Sequence, residues 1–178
     1  MTVYVALLRG VNVGGRRKIA MADLRAVLTG LGHTGVTTLL QSGNAVFTAP
    51  GTAGGEDAVA AAIEERLATG LGLDVDVMVR TAAHLRRVVD DIPFDVRDPA
   101  KCAVCFLKAP PDPGRLAALD PEAFAPEEMV PGERELYLYL PDGLGRAKLT
   151  PLLARRLGTP ATVRNWNTTT RLLALAEA

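Results

Sequence analysis

The sequence predicts an α+β protein made of two tandem β-α-β-β-α-β lobes, each with a ferredoxin-like order of elements. Short apolar runs typical of strands alternate with segments whose apolar residues recur every three to four positions, as on one face of a helix. A hairpin signal follows the first helix of each half. The element order of residues 1–80 returns in residues 102–178, although residue identity between the halves is low.

The first lobe, residues 1–80, is predicted from four apolar strands and two helices. Strands are indicated at 3–8, 36–41, 44–49 and 75–79, and the two-residue turn Ser42-Gly43 joins the second to the third. The apolar faces of the helices consist of Leu24, Val27, Leu28 and Leu31 in the first, and of Val59, Ile63 and Leu67 in the second.

Residues 81–101 are predicted as a linking helix and a linker, with Thr81 as the helix N-cap and Pro93 as its stop. The second lobe, residues 102–178, carries strand patterns at 102–107, 129–130, 135–140 and 161–164. Helices are predicted at 113–119 and 150–157, and a C-terminal helix begins at about Thr168.

Composition excludes several classes of function. The chain of 178 residues is 48% hydrophobic, which provides a core, and its 20 Lys and Arg residues balance 20 Asp and Glu residues. Such a balance excludes nucleic-acid binding through a basic field over the whole protein. No apolar run approaches the roughly 20 residues that span a bilayer, and the N-terminus lacks the pattern of a secretory signal. We therefore expect a cytoplasmic protein without a membrane partner.

The loop after the first strand, Arg9–Lys18, is the most informative segment. It combines three glycines with four cations, a composition that suits a negatively charged ligand. Its glycine spacing matches that of a P-loop, but Arg16-Arg17 replaces the Lys-Ser/Thr pair, so the hydroxyl for Mg²⁺ is missing. The alternative interpretation is a structural loop with solvated cations. The ligand-binding residues predicted here are Arg9, Asn12, Gly14, Gly15 and Lys18.

A second polar segment, Gln41-Ser42-Gly43-Asn44, lies between two apolar strands. Ser-Gly is ordinary turn chemistry, which is the simpler interpretation. In the predicted topology, however, this hairpin and the loop after the first strand lie at the same edge of the sheet. We therefore expect Gln41, Ser42 and Asn44 to join the same site, with Arg9 and Asn12 close to them.

The second half contains a corresponding pair of polar segments, 142–148 and 164–168. Trp166, the single tryptophan, is flanked by amides and a guanidinium. Its ring either fills the core beneath the last helix or offers a stacking surface for a base or a sugar. Lys148, Arg164, Asn165, Trp166 and Asn167 complete the predicted ligand-binding set.

The cysteines and histidines do not indicate a metal or redox site. Cys102 and Cys105 stand three apart on an apolar strand, so they face opposite sides of the sheet. His33 and His84 are isolated in the sequence, and no zinc spacing is present. We expect no cofactor and no metal.

Four strings, LLRGVNVGG, QSGN, PDGLGRAKL and RNWNT, resemble in order and spacing the bacterial family called domain of unknown function 1697. The resemblance covers essentially the whole chain. It implies an α+β fold of ferredoxin-like lobes, and it carries over no catalytic residue because the activity of the family is not established. Members often have a small hydroxyl residue before the MADLR-like helix start and within the GRxKL string, where this chain has Ala20 and Ala147.

These observations lead to a main hypothesis and two alternatives. The main one is a small anionic or phosphorylated ligand bound in a cleft between the two lobes. The first alternative is a transferase or hydrolase that acts by electrostatic positioning in the same cleft, although the polar strings offer only Asp142 for acid–base chemistry. The second is single-stranded nucleic-acid binding, with Trp166 stacking on bases.

Overall fold

The computed structural model describes all residues, 1–178, and its first sheet is built from the N-terminal half. The strands are β1 (Thr2–Leu8), β2 (Thr34–Leu39), β3 (Asn44–Ala49) and β4 (Val77–Thr81), and the helices are α1 (Met21–Gly30), α2 (Gly55–Leu71) and α3 (Ala82–Asp90). The antiparallel sheet has the order β2-β3-β1-β4, so β1 lies in the middle, as its apolar run predicts.

The second sheet repeats this arrangement. Its strands are β5 (Cys102–Leu107), β6 (Glu128–Pro131), β7 (Glu135–Tyr139) and β8 (Ala161–Asn165), and its helices are α4 (Pro113–Ala117), α5 (Leu149–Arg156) and α6 (Trp166–Glu177). The order β6-β7-β5-β8 is that of the first sheet, with β5 in the place of β1. The predicted α+β class and the predicted order of elements in both halves are confirmed.

The chain forms two compact units. Unit 1 consists of Met1–Arg87 together with Leu172–Ala178, and unit 2 consists of Val88–Arg171. Within unit 1, Arg86 donates through Nε to Oε1 of Glu177 at 2.8 Å, which ties the C-terminal segment to α3. The boundaries drawn from the sequence at 80/81 and 101/102 stay a prediction. None of the helices is both long enough and apolar enough to pass through a membrane.

The core of unit 1 follows from two periodicities. Alternate residues of the sheet, among them Ala6, Leu8 and Phe47, point to the same side and are buried against the helices. The apolar faces of α1 and α2 cover that side, with Leu28 and Ile63 fully buried. Unit 2 has a separate core built in the same way, whose central members are Cys105, Leu107, Leu136, Leu138, Leu149 and Leu153.

The connection between β2 and β3 differs from the prediction. Four residues, Leu40–Gly43, join the strands instead of the two-residue turn Ser42-Gly43. The Gly43 amide donates to the Leu40 carbonyl, and both residues have positive φ, 86° and 61°. The predicted two-residue turn is wrong because Leu40, an ordinary strand residue by type, adopts the left-handed conformation that the sequence pattern does not signal.

Two helices begin at other residues than predicted because distant or unexpected groups cap them. The backbone amides of Lys148 and Leu149, at the start of α5, both donate to the buried Glu127 carboxylate, at 2.8 Å each. In α6, Asn165 Oδ1 accepts from the Thr168 amide at 2.8 Å, so the helix begins at Trp166 rather than near Thr168.

Gly43→Ala should destabilise the protein by about 3 kcal/mol, since the new Cβ would overpack the core and the backbone conformation is unfavourable for alanine. A Cβ at Gly43 would lie 2.6 Å from Val11 Cγ2 and 2.9 Å from Leu8 Cβ. Urea unfolding measures the change. Gly15→Ala is the matched control, because φ is also positive there but no atom lies within 4 Å of the added Cβ. Equal losses in the two variants would contradict the close-packing argument.

Candidate functional site

The loop after β1 folds into a small hairpin. The Arg16 amide donates to the Val13 carbonyl at 3.2 Å, and the Asn12 amide donates to the Arg17 carbonyl, also at 3.2 Å. Gly14 and Gly15 form the tip with φ of 61° and 73°, the pair of left-handed residues that a type I′ turn requires. The glycines of this motif therefore serve a tight exposed turn.

The side chain of Asn12 holds this hairpin in place. Its Nδ2 donates to the carbonyls of Ile19 at 3.0 Å and of Gln41 at 2.7 Å, while its Oδ1 accepts from the Ile19 amide at 2.9 Å. Three of the bonds that a carboxamide can form are thus made to backbone groups. The side-chain carboxamide of Asn12 therefore joins the two ends of the loop to each other and to the β2–β3 connection.

Further bonds bring the two predicted loops together. The Leu8 amide at the end of β1 donates to the Gly43 carbonyl at 2.8 Å. Asn44 is fully buried, and its Nδ2 donates to the Leu39 carbonyl and to Ser42 Oγ. The expectation that both loops lie at one edge of the sheet is confirmed, and Asn44 closes the β2–β3 connection from inside.

A cavity of about 520 Å³, wide open to solvent, lies between the two loops. Its lining consists of Asn12, Gly15, Lys18, Ile19, Ala20 and Gln41. Four of these, Asn12, Gly15, Lys18 and Gln41, belong to the predicted ligand-binding set. They come from segments more than 20 residues apart in the sequence, so their convergence is a property of the fold.

The cations of the loop differ in their surroundings. Arg9 donates through Nη1 to Asp76 Oδ2 at 3.4 Å, and the Arg9 amide also bonds to the Asp76 carbonyl. Arg16, Arg17 and Lys18 are exposed, and no ion pair joins them to a carboxylate. Of these three cations, only Lys18 lines the cavity.

Ala20 lies at the cavity and is also the N-cap of α1. It offers no side-chain hydrogen bond to the first turn of the helix, where Asp23 is the acidic residue. This is the position at which the resemblance described above implies a small hydroxyl residue, and an N-cap hydroxyl would bond to an amide of that turn. In this chain the N-cap residue of α1 lines the cavity and supplies no side-chain cap.

The predicted residues of unit 2 are mostly engaged within the fold. Arg164 is buried and donates through Nη1 to Thr162 Oγ1 at 2.7 Å, and burial lowers the pKa of its guanidinium to about 10. Asn165 caps α6. Trp166 has 8% of its surface exposed, in agreement with the interpretation of its ring as part of the core. Lys148 and Asn167 are exposed.

Sequence reasoning missed an ionisable pair that the fold assembles in unit 1. His84 is not isolated: its Nδ1 lies 3.0 Å and 3.1 Å from the two carboxylate oxygens of Glu56. Glu56 Oε1 also accepts from the Thr81 amide at 2.7 Å. On the same helix, Glu64 accepts from the Val77 amide, so α2 carboxylates bond to amides of the edge strand β4. A separation of 28 residues leaves no local sequence signal for the pair.

The surroundings of Glu56 affect its pKa in opposite directions. Burial opposes ionisation, but the hydrogen bonds from His84 and Thr81 and the charges of His84 and Arg80 outweigh it. The pKa of Glu56 therefore lies below its usual value of 4.5 in the folded protein. The pair lies at the junction of α2, β4 and α3 and is separate from the cavity at the two loops.

Comparison with known proteins shows the family of this chain. Residues 1–137 match the family described as Protein of unknown function (DUF1697), and this stretch contains both loops that line the cavity. The chain belongs to this family. The resemblance to this family is thereby confirmed over residues 1–137. The LLRGVNVGG and QSGN strings lie within this stretch and form the hairpin and the β2–β3 connection described above. No curated protein matches the chain.

A solved structure shows the same fold. The conserved bacterial protein SP0830 from Streptococcus pneumoniae is similar over 98% of this chain and 98% of its own, with a TM-score of 0.77 and 22% sequence identity. At this level of identity the likeness concerns the fold alone. The chain therefore shares its overall fold with that protein.

Glu56→Gln should lower the free energy of unfolding by about 2 kcal/mol at neutral pH, because the charged acceptor of two hydrogen bonds is lost. Since the folded-state pKa of Glu56 is below that of the unfolded chain, its contribution is complete above about pH 4.5 and is lost as pH falls through the folded-state value. The difference between wild type and variant should shrink toward pH 3. Denaturant unfolding at several pH values measures it, with the exposed Glu65→Gln as the control. A difference independent of pH would contradict this assignment.

Proposed function

We propose that this protein is a cytoplasmic binding protein for a small ligand that carries phosphate, and that the ligand's anionic group enters the cavity between the hairpin and the β2–β3 connection. The observation that carries the proposal is the convergence of Asn12, Gly15, Lys18 and Gln41 on one cavity. Lys18 supplies a cation at its wall, and Gln41 supplies a side-chain amide for directional hydrogen bonds.

The hairpin and α1 support an anion in particular. The tip glycines present backbone amides on an exposed turn, and Ala20, the N-cap residue of α1, lines the cavity and has no capping side chain. Oriented backbone amides and a helix N-terminus both favour negative charge. The cavity lining contains no carboxylate that would repel such a ligand.

The same lining favours binding over catalysis. None of its six residues is Asp, Glu, His or Cys, so a proton donor or a nucleophile of the usual kind is missing from the cavity wall. The nucleic-acid alternative relied on an exposed Trp166 ring, and that ring is buried. Both aromatic residues of the first 55, Tyr4 and Phe47, are buried as well.

Lys18→Gln should weaken the binding of inorganic phosphate about tenfold, because one charge-assisted hydrogen bond becomes a neutral one. NMR titration of the backbone amides measures this affinity and locates the site, with shifts expected at residues 12–20 and at Gln41. Arg155→Gln removes an exposed cation from α5 in unit 2 and is the matched control. Shifts confined to other parts of the chain, or equal affinities in the two variants, would refute the proposal.

A further inference from the structure

A histidine occupies an apolar position at the end of α1. The helix ends in a Schellman motif, in which the Gly32 amide donates to the Thr29 carbonyl at 2.9 Å and the His33 amide donates to the Leu28 carbonyl at 3.2 Å. Gly32 supplies the left-handed residue, with φ of 85°. The residue in the place of His33 in this motif often makes an apolar contact with the helix, and here that residue can take up a proton.

The surroundings of the His33 ring suit only its neutral form. The ring stacks on the buried Phe47, with ring centroids 4.6 Å apart and planes 16° from parallel. Part of the residue is exposed, but both ring nitrogens are buried and neither has a hydrogen-bond partner. Protonation would place a charge and a second N–H donor there. The face of Phe47 attracts cations, but it does not satisfy two buried N–H donors.

The elements joined at His33 carry no charge that would stabilise a protonated ring. β2 follows His33 and β3 contains Phe47, and neither strand has an ionisable residue. The charged residues of α1, Asp23 and Arg25, lie in the first half of the helix, whereas His33 follows its last turn. Burial is the cause that lowers the pKa of His33 below its usual 6.5.

Two further elements bring ionisable groups to this part of unit 1. α2 places Glu65 and Arg66 beside Leu31, at the same end of α1, where the three residues line a pocket. Their charges are opposite, and both side chains are exposed. On β1, Tyr4 stacks on Phe47 with centroids 5.9 Å apart and contributes an uncharged phenol. The cost of a buried charge on the histidine ring is therefore not offset.

The start of β2, directly after His33, is irregularly paired. β2 is an edge strand, and its register with β3 shifts between Thr34 and Thr37. Gly35 lies inside this irregularity with φ of 60°, and both Thr34 and Gly35 are exposed. Few bonds therefore oppose a separation of this segment from the sheet, and the segment can open while the central strands stay paired.

We propose that His33 is a pH-sensitive switch for the junction of α1 and β2. When its ring takes up a proton, the ring leaves Phe47, the Gly32 and His33 amides lose their bonds to α1, and the start of β2 separates from β3. Since the closed junction keeps His33 neutral, the closed form is stable above about pH 6.5 and opens progressively as the pH falls toward the lower folded-state pKa. Opening uncovers the Phe47 ring, so this apolar surface is exposed only in acid.

Hydrogen exchange of the full chain, followed by NMR between about pH 7 and about pH 5.5, tests this inference. After correction for the intrinsic exchange rate, the Gly32 and His33 amides should lose protection at least about threefold, because one proton drives the opening. His33→Phe keeps a ring on Phe47 but cannot titrate, so protection of its Gly32 amide should change by less than about 1.5-fold over the same range. His84→Gln removes the other histidine and is the matched control, which should behave as the wild type does at Gly32.

Titration of the His33 ring, followed by the NMR signals of its carbon-bound protons, is a second measurement and needs no variant. A midpoint below pH 6.5 is expected, and a midpoint at or above 6.5 would overturn the inference. Equal losses of Gly32 protection in the wild type and in His33→Phe would overturn it as well. So would an equal loss at Ala6 in the central strand β1, since the opening would then be global unfolding.

Discussion

The candidate site of this protein depends on one carboxamide. Asn12 bonds to both backbone groups of Ile19 and to the Gln41 carbonyl, so a single side chain closes the loop after β1 and attaches it to the next loop of the same sheet edge. Val11 and Ile19 pack the two ends of the loop into the core of unit 1, whereas the tip is exposed, and a Cβ added at Gly14 or Gly15 would meet no atom within 4 Å. The Asn12 bonds supply the direct link between this loop and Gln41.

These bonds are possible because both loops lie at the same end of the sheet strands. β1 is a central strand with β3 on one side and β4 on the other, so the chain leaves the middle of the sheet directly beside the β2–β3 connection. Gly43 permits the close approach, since even one methyl group there would meet Val11 and Leu8. The fold therefore determines where the loop begins, and the Asn12 bonds attach the loop to Ile19 and Gln41.

The sequence predicted the strands, the helices and their order in both halves, because apolar periodicity reports directly which face of an element is buried. It also predicted the meeting of the two loops in unit 1, which follows from topology. It did not predict roles that depend on distant partners. The residues around Glu127 in the sequence do not indicate that its carboxylate caps α5. Likewise, the residues around His84 do not indicate that it pairs with Glu56.

The predicted site residues fall into two groups, those that bond within the fold and those that are exposed at the cavity. Residue type indicated polarity correctly, but it does not distinguish a side chain that meets a ligand from one that satisfies the backbone. Asn44 and Asn165 bond within the fold, as does the buried Arg164. Lys18 and Gln41, which are exposed at the cavity, keep their polar groups available for a ligand.

Hydrogen exchange of the Ile19 amide tests the central role of Asn12 most directly. In Asn12→Gly, which keeps the positive φ but lacks the carboxamide, this amide should exchange at least about tenfold faster than in the wild type, since its acceptor is gone. Arg17→Gly alters another left-handed residue of the same hairpin and should leave the rate unchanged. Equal protection of Ile19 in the wild type and in Asn12→Gly would contradict the account.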